Sequence, residues 1–240
     1  MQLRLPLRLS ARIALATAGR PSRCRPRQPH RHRRCTARRQ AQRQAGRQNS
    51  TVEVHGRGLI RGLVEAGSGE PIPRAAVALS EQLRTGGGFR QLTTLRADAL
   101  GRFAYRIGPG PSRTIRFHYA GTALVKPAAS DVKVLVPARS SIAVDRRRVF
   151  NGDEVVFNGA LRGGFVPEGG KLMDLQAYYR GGWRTFATAR TDTGGRWAYR
   201  YRFGATRGLI RYRFRARIRR EAAYPFELGY SSIVRVTVRG

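Results

Sequence analysis

Along most of the chain, apolar residues alternate with charged ones in short stretches. Phe103, Tyr105 and Ile107 alternate with Arg102, Ala104 and Arg106, and Trp197, Tyr199 and Tyr201 alternate with Arg196, Ala198, Arg200 and Arg202. Tyr212, Phe214, Ala216 and Ile218 alternate in the same way with Arg211, Arg213, Arg215 and Arg217. Val134 and Val136 close one such series, and Val234, Val236 and Val238 close another. A period of two with one apolar and one charged face predicts strands half-buried against a core. The stretches GSGEP, GGG, DALG, GPGPS, NGDE, PEGG and DTGG between them supply turn chemistry. No amphipathic helix can be read, so the predicted fold class is all-β.

Self-comparison sets the domain organisation. GGFRQLTTLRADALGRFAYR, Gly87 to Arg106, aligns without a gap on GGWRTFATARTDTGGRWAYR, Gly181 to Arg200, at an offset of 94 with 11 of 20 positions identical. Phe89/Trp183, Leu92/Phe186 and Phe103/Trp197 keep their apolar character across the repeat. Further on, TIRFHYA (114–120) resembles LIRYRFRA (209–216), and SDVKVLV (130–136) resembles SIVRVTV (232–238), at slightly larger offsets. An insertion in the second copy around Arg219 to Tyr230 accounts for the drift. A period near 94 residues is the size of an immunoglobulin-type sandwich. Two tandem β-sandwiches are expected, at 51–138 and 139–240, after a basic tail at 1–50.

The tail changes the meaning of the charge. The 240 residues carry 47 Lys plus Arg against 14 Asp plus Glu, a formal net charge of +33. Residues 1–50 hold 14 Arg and no acid, and their Arg, Gln, Pro, Ala and His show no apolar period, which predicts disorder. The other charges fall on the outward faces of strands, where an arginine stem covers apolar surface and the guanidinium stays wet. Only Lys126, Lys133 and Lys171 are lysines, a bias that points to genome composition rather than selection for phosphate alone. No run of 18 apolar residues exists, so a membrane-spanning helix is not expected. Arg4, Arg8 and Arg12 interrupt the apolar stretch of the first 19 residues, which therefore makes a poor secretory signal.

Catalytic and metal chemistry is hard to assemble. Cys24, His30, His32 and Cys35 form a C-x5-H-x-H-x2-C cluster whose spacing departs from zinc pairs and which is surrounded by arginines. The folded region has no cysteine, no G-x-S-x-G elbow, no phosphate-binding G-K-[ST] loop and no H-E-x-x-H. Glu53, His55 and Ser68 make a triad only on paper, and His118 reads as a solvated strand position. Asp153 and Glu154 are adjacent, so they point to opposite faces and do not make a glycosidase pair. An intramolecular isopeptide bond between Lys133 or Lys171 and Asn151 or Asn158 lacks an identifiable buried carboxylate. Asp98 and Asp192 are expected to accept backbone N–H groups in turns completed by Gly101 and Gly195; a calcium role would require more oxygens. No cofactor and no metal is expected.

The first copy contains GLIRGLVEAGSGEPIPRAAVAL, Gly58 to Leu79, followed by RADALGRFAY. It resembles the carboxypeptidase regulatory-like domain, a transthyretin-like or prealbumin-like sandwich. Gly69, Glu70, Pro71, Ile72, Ala75 or Ala76, and Val77 match that family's middle block, and Asp98, Gly101 and Phe103 its last, with Arg74 where Gly or Asn is usual. The pair also resembles the β-sandwich tails of secreted or surface proteins from high-GC bacteria. The resemblance implies an extracellular or cell-surface, non-enzymatic pair of modules for adhesion, carbohydrate binding or spacing, with an unidentified protein or polysaccharide partner.

The competing expectation is a nucleic-acid or other polyanion binder that uses Arg-rich strand faces together with the basic tail. Its candidate face is Arg200, Arg202, Arg211, Arg213, Arg215 and Arg217, with binding nonspecific and the interleaved aromatics turned into the core.

Overall fold

A computed structural model describes residues 8–12, 52–55 and 58–240. The first sandwich contains β1 (Arg8–Arg12), β2 (Val52–His55), β3 (Leu59–Glu65), β4 (Ala76–Leu83), β5 (Arg90–Arg96), β6 (Arg102–Arg106), β7 (Arg113–Tyr119) and β8 (Ala128–Leu135). The second contains β9 (Arg139–Ser140), β10 (Ala143–Val144), β11 (Arg148–Phe150), β12 (Glu154–Arg162) and β13 (Leu172–Tyr179). It continues with β14 (Gly182–Arg190), β15 (Arg196–Arg202), β16 (Leu209–Ile218), β17 (Gly229–Tyr230) and β18 (Val234–Arg239). The chain is all-β among the described residues. The expected tail, with Cys24, His30, His32 and Cys35, lies outside the described residues except for β1, which pairs antiparallel with β3.

Each sandwich has two sheets with the same order. In the first, β1-β3-β6 faces β2-β8-β7-β4-β5; in the second, β10-β12-β15, with β9 also on β12, faces β11-β18-β16-β13-β14, with β17 on β16. In both, the edge strand of the larger sheet runs parallel to its neighbour, β2 to β8 and β11 to β18, while the other ladders are antiparallel. This is the arrangement of an immunoglobulin-like sandwich. The alternation read from the sequence fills the space between the sheets. Ile60, Val77, Leu79, Ile115, Phe117, Val132 and Val134 are buried in the first core. Val155, Phe157, Met173, Leu175, Trp197, Phe214 and Val236 are buried in the second. Each such side chain contributes roughly 1.5–3 kcal/mol by leaving water.

Three internal equivalences relate the copies. The ladder between β4 and β5 slips at Leu79/Ser80 and leaves Leu92 unpaired, and that between β13 and β14 slips at Leu175/Gln176 and leaves Phe186 unpaired. These bulges, 94 residues apart, turn Leu92 and Phe186 toward their cores. Across the smaller sheets, Gly62 faces Phe103 and Gly159 faces Trp197. The third equivalence corrects the sequence alignment. Ser80 pairs with Arg116 just beyond the first bulge and Gln176 with Arg215 just beyond the second, so Arg116 corresponds to Arg215 at an offset of 99. Matching TIRFHYA to LIRYRFRA placed that strand four residues out, because alternating Arg and apolar positions carry no internal register mark.

Candidate functional site

The segment that the second copy adds forms the junction between the sandwiches. Its root is held in the second one. Lys171, 0% exposed, pairs with Glu221 at 2.5 Å and lies 5.1 Å from the Tyr224 ring. Tyr224 and Phe226 are buried in the second core. The backbone of the same segment then turns to the first sandwich. Ser112 N donates to Pro225 O at 2.7 Å, Ala138 N to Glu227 O at 3.0 Å, and Glu227 N to Val136 O at 2.9 Å. From the turn just after β4, the Arg84 guanidinium reaches Phe226 O at 3.3 Å, the Tyr224 and Glu221 carbonyls at 3.5 Å, and the Glu227 carboxylate at 3.4 Å. Only Val136, Pro137 and Ala138 separate β8 from β9, so a short connection and this bracket act together. A cleft of about 530 Å³ runs along the seam, lined by Gln82, Arg84, Ser112, Lys133, Arg220 and Glu227. Its arginines are engaged: Arg84 and Arg220 both pair with Glu227.

The outer face of the larger second sheet is the other feature that carries chemistry. On β13, Asp174, 1% exposed, receives Arg217 at 2.6 Å and Arg219 at 2.6 Å. Burial pushes this carboxyl up, and the two guanidinium groups overcome it and hold it below the ordinary carboxylate range. One step along the sheet, Arg215 donates to Gln176 Oε1 at 2.9 Å and sits between two rings, 4.2 Å from Trp183 and 3.9 Å from Tyr230. Burial lowers the Arg215 pKa from its usual value. Arg213 then covers Tyr178 at 3.8 Å. The first sandwich repeats one element of this design, with Arg116 over Phe89 at 4.0 Å and bonded through both Nε and Nη2 to Asp131 at 2.8 Å. Phe89 and Trp183 are the aligned pair of the repeat; the sequence shows their kinship but not that they face outward to carry an arginine.

The expected turn residues are placed as follows. Asp98 Oδ1 accepts Leu100 N and Arg102 N at 2.8 Å, and Gly101 stands at φ 70° with N–H to Asp98 O. Asp192 Oδ1 accepts Arg196 N at 2.8 Å, and Gly195 stands at φ 77° with N–H to Asp192 O. Gly69, at φ 91°, closes the turn onto Ala66 O, and Pro71 bridges back to Glu65. Among the described residues, no group of three or more His, Cys, Asp or Glu is placed to hold a metal ion.

The six arginines proposed as one polyanion face lie on two sheets. Arg200 and Arg202 are on β15 in the smaller sheet, and Arg211, Arg213, Arg215 and Arg217 are on β16 in the larger. Of the second group, Arg215 and Arg217 are committed to partners within the sandwich. Trp197, Tyr199 and Tyr201 face the core, while Trp183, Tyr178 and Tyr230 face outward.

Ser68 is exposed in the turn after β3, whereas Glu53 and His55 lie on β2 in the other sheet, with side chains outside those described. His118 is exposed on β7. Lys171 meets Glu221, and the Asn151 amide is engaged with Thr206, donating to its carbonyl at 2.7 Å. Lys133 and Asn158 are exposed. No helix among the described residues is long and apolar enough to cross a membrane.

No protein-family profile matches the chain, and no curated protein matches it. Among solved structures, the Yersinia pseudotuberculosis adhesin InvE is similar over 79% of this chain and 57% of its own, at 14% identity and a TM-score of 0.35. The N-terminal four Ig domains of Dscam1 isoform 8.4 are similar over 82% of this chain and 45% of theirs, at 10% identity and a TM-score of 0.44. The fibronectin(III)-like modules of Clostridium thermocellum CbhA are similar over 79% of this chain and 88% of theirs, at 10% identity and a TM-score of 0.28. The chain thus spans 57% and 45% of the first two structures.

Proposed function

We propose that the chain is a non-enzymatic pair of β-sandwich modules that works outside the cell as an adhesion or spacer unit. The observation that carries this reading is the bracket at the junction, in which a segment rooted in the second core bonds to Ser112 of the first sandwich and to Val136 and Ala138 of the connection. A spacer must resist bending, and hydrogen bonds on both sides of a three-residue connection supply that resistance. The first sandwich is proposed to be a carboxypeptidase regulatory-like module, on the strength of its Gly69–Pro71 and Asp98–Gly101 turns.

The test is a distance measurement on the full chain. With Cys24 and Cys35 changed to Ser, spin labels at exposed Thr94 and Thr188 are expected to give one narrow separation. A broad or multimodal distribution overturns the spacer reading. A reproducible hydrolase activity lost on changing one acidic residue overturns the non-enzymatic one.

A further inference from the structure

The outer face of the larger second sheet divides along its length. Toward β17 its arginines are engaged within the sandwich, Arg217 and Arg219 on Asp174 and Arg215 on the Gln176 amide between two rings. Toward the other end no carboxylate among the described residues meets them. Arg148, Arg211, Arg213, Arg235 and Arg239 stand on three neighbouring strands, β11, β16 and β18, and none has a carboxylate partner among the described residues. Their positions alternate with buried Val149, Phe214, Val236 and Val238 and half-buried Tyr212, which fixes all five guanidinium groups on the outer side. The registers put Arg148, Thr237 and Arg211 in one row, Arg213 beside Arg235 in the next, and Phe150, Arg239 and Leu209 in the row at the edge. Rows along a strand lie about 7 Å apart and strands about 4.8 Å apart, so the five form a cationic grid about 10 Å wide and about 14 Å long.

Two features of this grid point to a ligand. Like charges directly opposite each other destabilise a sheet, and Arg213 faces Arg235 with no acid between them. An anionic group bridging the pair removes that repulsion. The edge row also exposes apolar surface beside the charge, with Phe150 62% and Leu209 74% exposed.

The rings decide the class of polyanion. Proteins that hold single-stranded nucleic acid stack successive bases on open aromatic faces. Here Tyr178, Trp183 and Tyr230 already lie under guanidinium groups at 3.8, 4.2 and 3.9 Å. Among the described residues Phe150 is the ring of this face without such cover, and it sits at the edge of the grid. A linear chain of anionic sugars makes different demands. Its sulfate or carboxylate groups need guanidinium forks, and one ring suffices to pack against the C–H face of a sugar.

We propose that Arg148, Arg211, Arg213, Arg235 and Arg239, flanked by Phe150, form a binding face for a linear anionic polysaccharide. This deepens the adhesion reading by giving the module pair a ligand class, and it stands or falls independently of how stiffly the two sandwiches are joined.

The experiment compares the full chain with R211S/R235S/R239S and with the control R196S/R200S/R202S, which removes equal charge from the opposite sheet. All three proteins keep residues 1–57, so any contribution of those arginines is common to them. The probes are heparin, polygalacturonate and a dT oligomer, measured by calorimetry at several salt concentrations. Tighter binding of one of the glycans than of dT is expected, with a loss of tenfold or more in the face variant and less than twofold in the control. The slope of log affinity against log salt should fall by about one for each arginine removed that makes contact. Glycan binding should raise the thermal midpoint of the wild-type protein and leave that of the face variant little changed. Equal affinity in wild type and face variant, or an equal loss in the control, overturns the proposal. Tighter binding of dT that is lost in the face variant replaces it with a nucleic-acid site.

Discussion

The indole of Trp197 lies over Gly159, with Cζ2 only 2.7 Å from where a Cβ on that glycine would sit. Phe103 lies over Gly62 in the same way, its Cζ 2.1 Å from the corresponding point. The two pairs occupy matching positions in the two smaller sheets, so a glycine opposite an aromatic ring is part of the repeated design. Trp197 is also tied at its edge, its indole N–H donating to Ser140 Oγ at 3.0 Å. Gly62→Ala should destabilise the first sandwich by about 1–3 kcal/mol, because the Phe103 ring must move within a packed core. Gly159→Ala should cost more, since its Cβ also meets the Ser141 carbonyl oxygen at 2.1 Å, and backbone yields less readily than a ring. Urea unfolding monitored by tryptophan fluorescence checks the second; equal stability of Gly159→Ala and wild type would count against the packing described.

Asp174→Asn should destabilise the second sandwich by about 1–3 kcal/mol. That is less than the loss expected for a fully buried pair, because Arg217 and Arg219 are 33% and 50% exposed and can rehydrate. The carboxyl pKa is lowered in the fold, so its contribution is present above the unfolded value of about 3.9 and is lost as pH falls through the lower folded value. Unfolding curves of wild type and variant should therefore differ at pH 7 and converge below about pH 4. A difference that persists undiminished into that acid range contradicts the ion-pair account.

Tyr224 is buried with no hydrogen-bond partner for its hydroxyl among the described residues, and burial pushes its phenol up to about 12. The neutral form is the one the fold favours, so this residue supports stability below about pH 10 and ceases to do so as pH rises through 12. Absorbance titration should show one tyrosine ionising late in the wild type and absent from Tyr224→Phe. The Phe variant should be as stable as wild type or up to about 1 kcal/mol more stable at neutral pH, because it removes a polar atom that has no bond to lose. A marked loss of stability would show that the hydroxyl has a partner.

Arg84→Ala removes the side chain that ties the turn after β4 to the bracket. A loss of about 1–2 kcal/mol in coupling is expected, from charge-assisted bonds that are partly exposed. Calorimetry is expected to show one transition for the full chain and two for the variant, one for each sandwich, with each core intact by circular dichroism. Retention of one sharp transition would mean that the backbone bonds of Ser112, Ala138 and Glu227 suffice without the guanidinium.

The repeat was legible in the sequence because its signature is local. Asp98, Gly101 and Phe103 fall within six residues, as do Asp192, Gly195 and Trp197, and each trio builds one turn and the start of one strand. What escaped the reading is long-range. The register of β16 could not be placed, since a slip by an even number of residues leaves its alternation unchanged. Asp174 looks like any isolated acid until β13 is laid beside β16 and Arg217 arrives across the ladder. The grid of Arg148, Arg211, Arg213, Arg235 and Arg239 draws on three strands distant in sequence, whereas Arg200 and Arg202, which looked contiguous with β16, belong to the opposite sheet. The bracket at the junction works through the carbonyls of Tyr224, Pro225 and Phe226, and backbone acceptors leave no mark in residue type.

That bracket belongs wholly to the second sandwich, and its receiving groups, Arg84 and Ser112, belong to the first. Two copies of one fold are thereby given polarity: transposing them would set a sandwich without the added segment against one that lacks the matching groups. The dozen residues that spoil the internal symmetry are the ones that make the order of the modules matter.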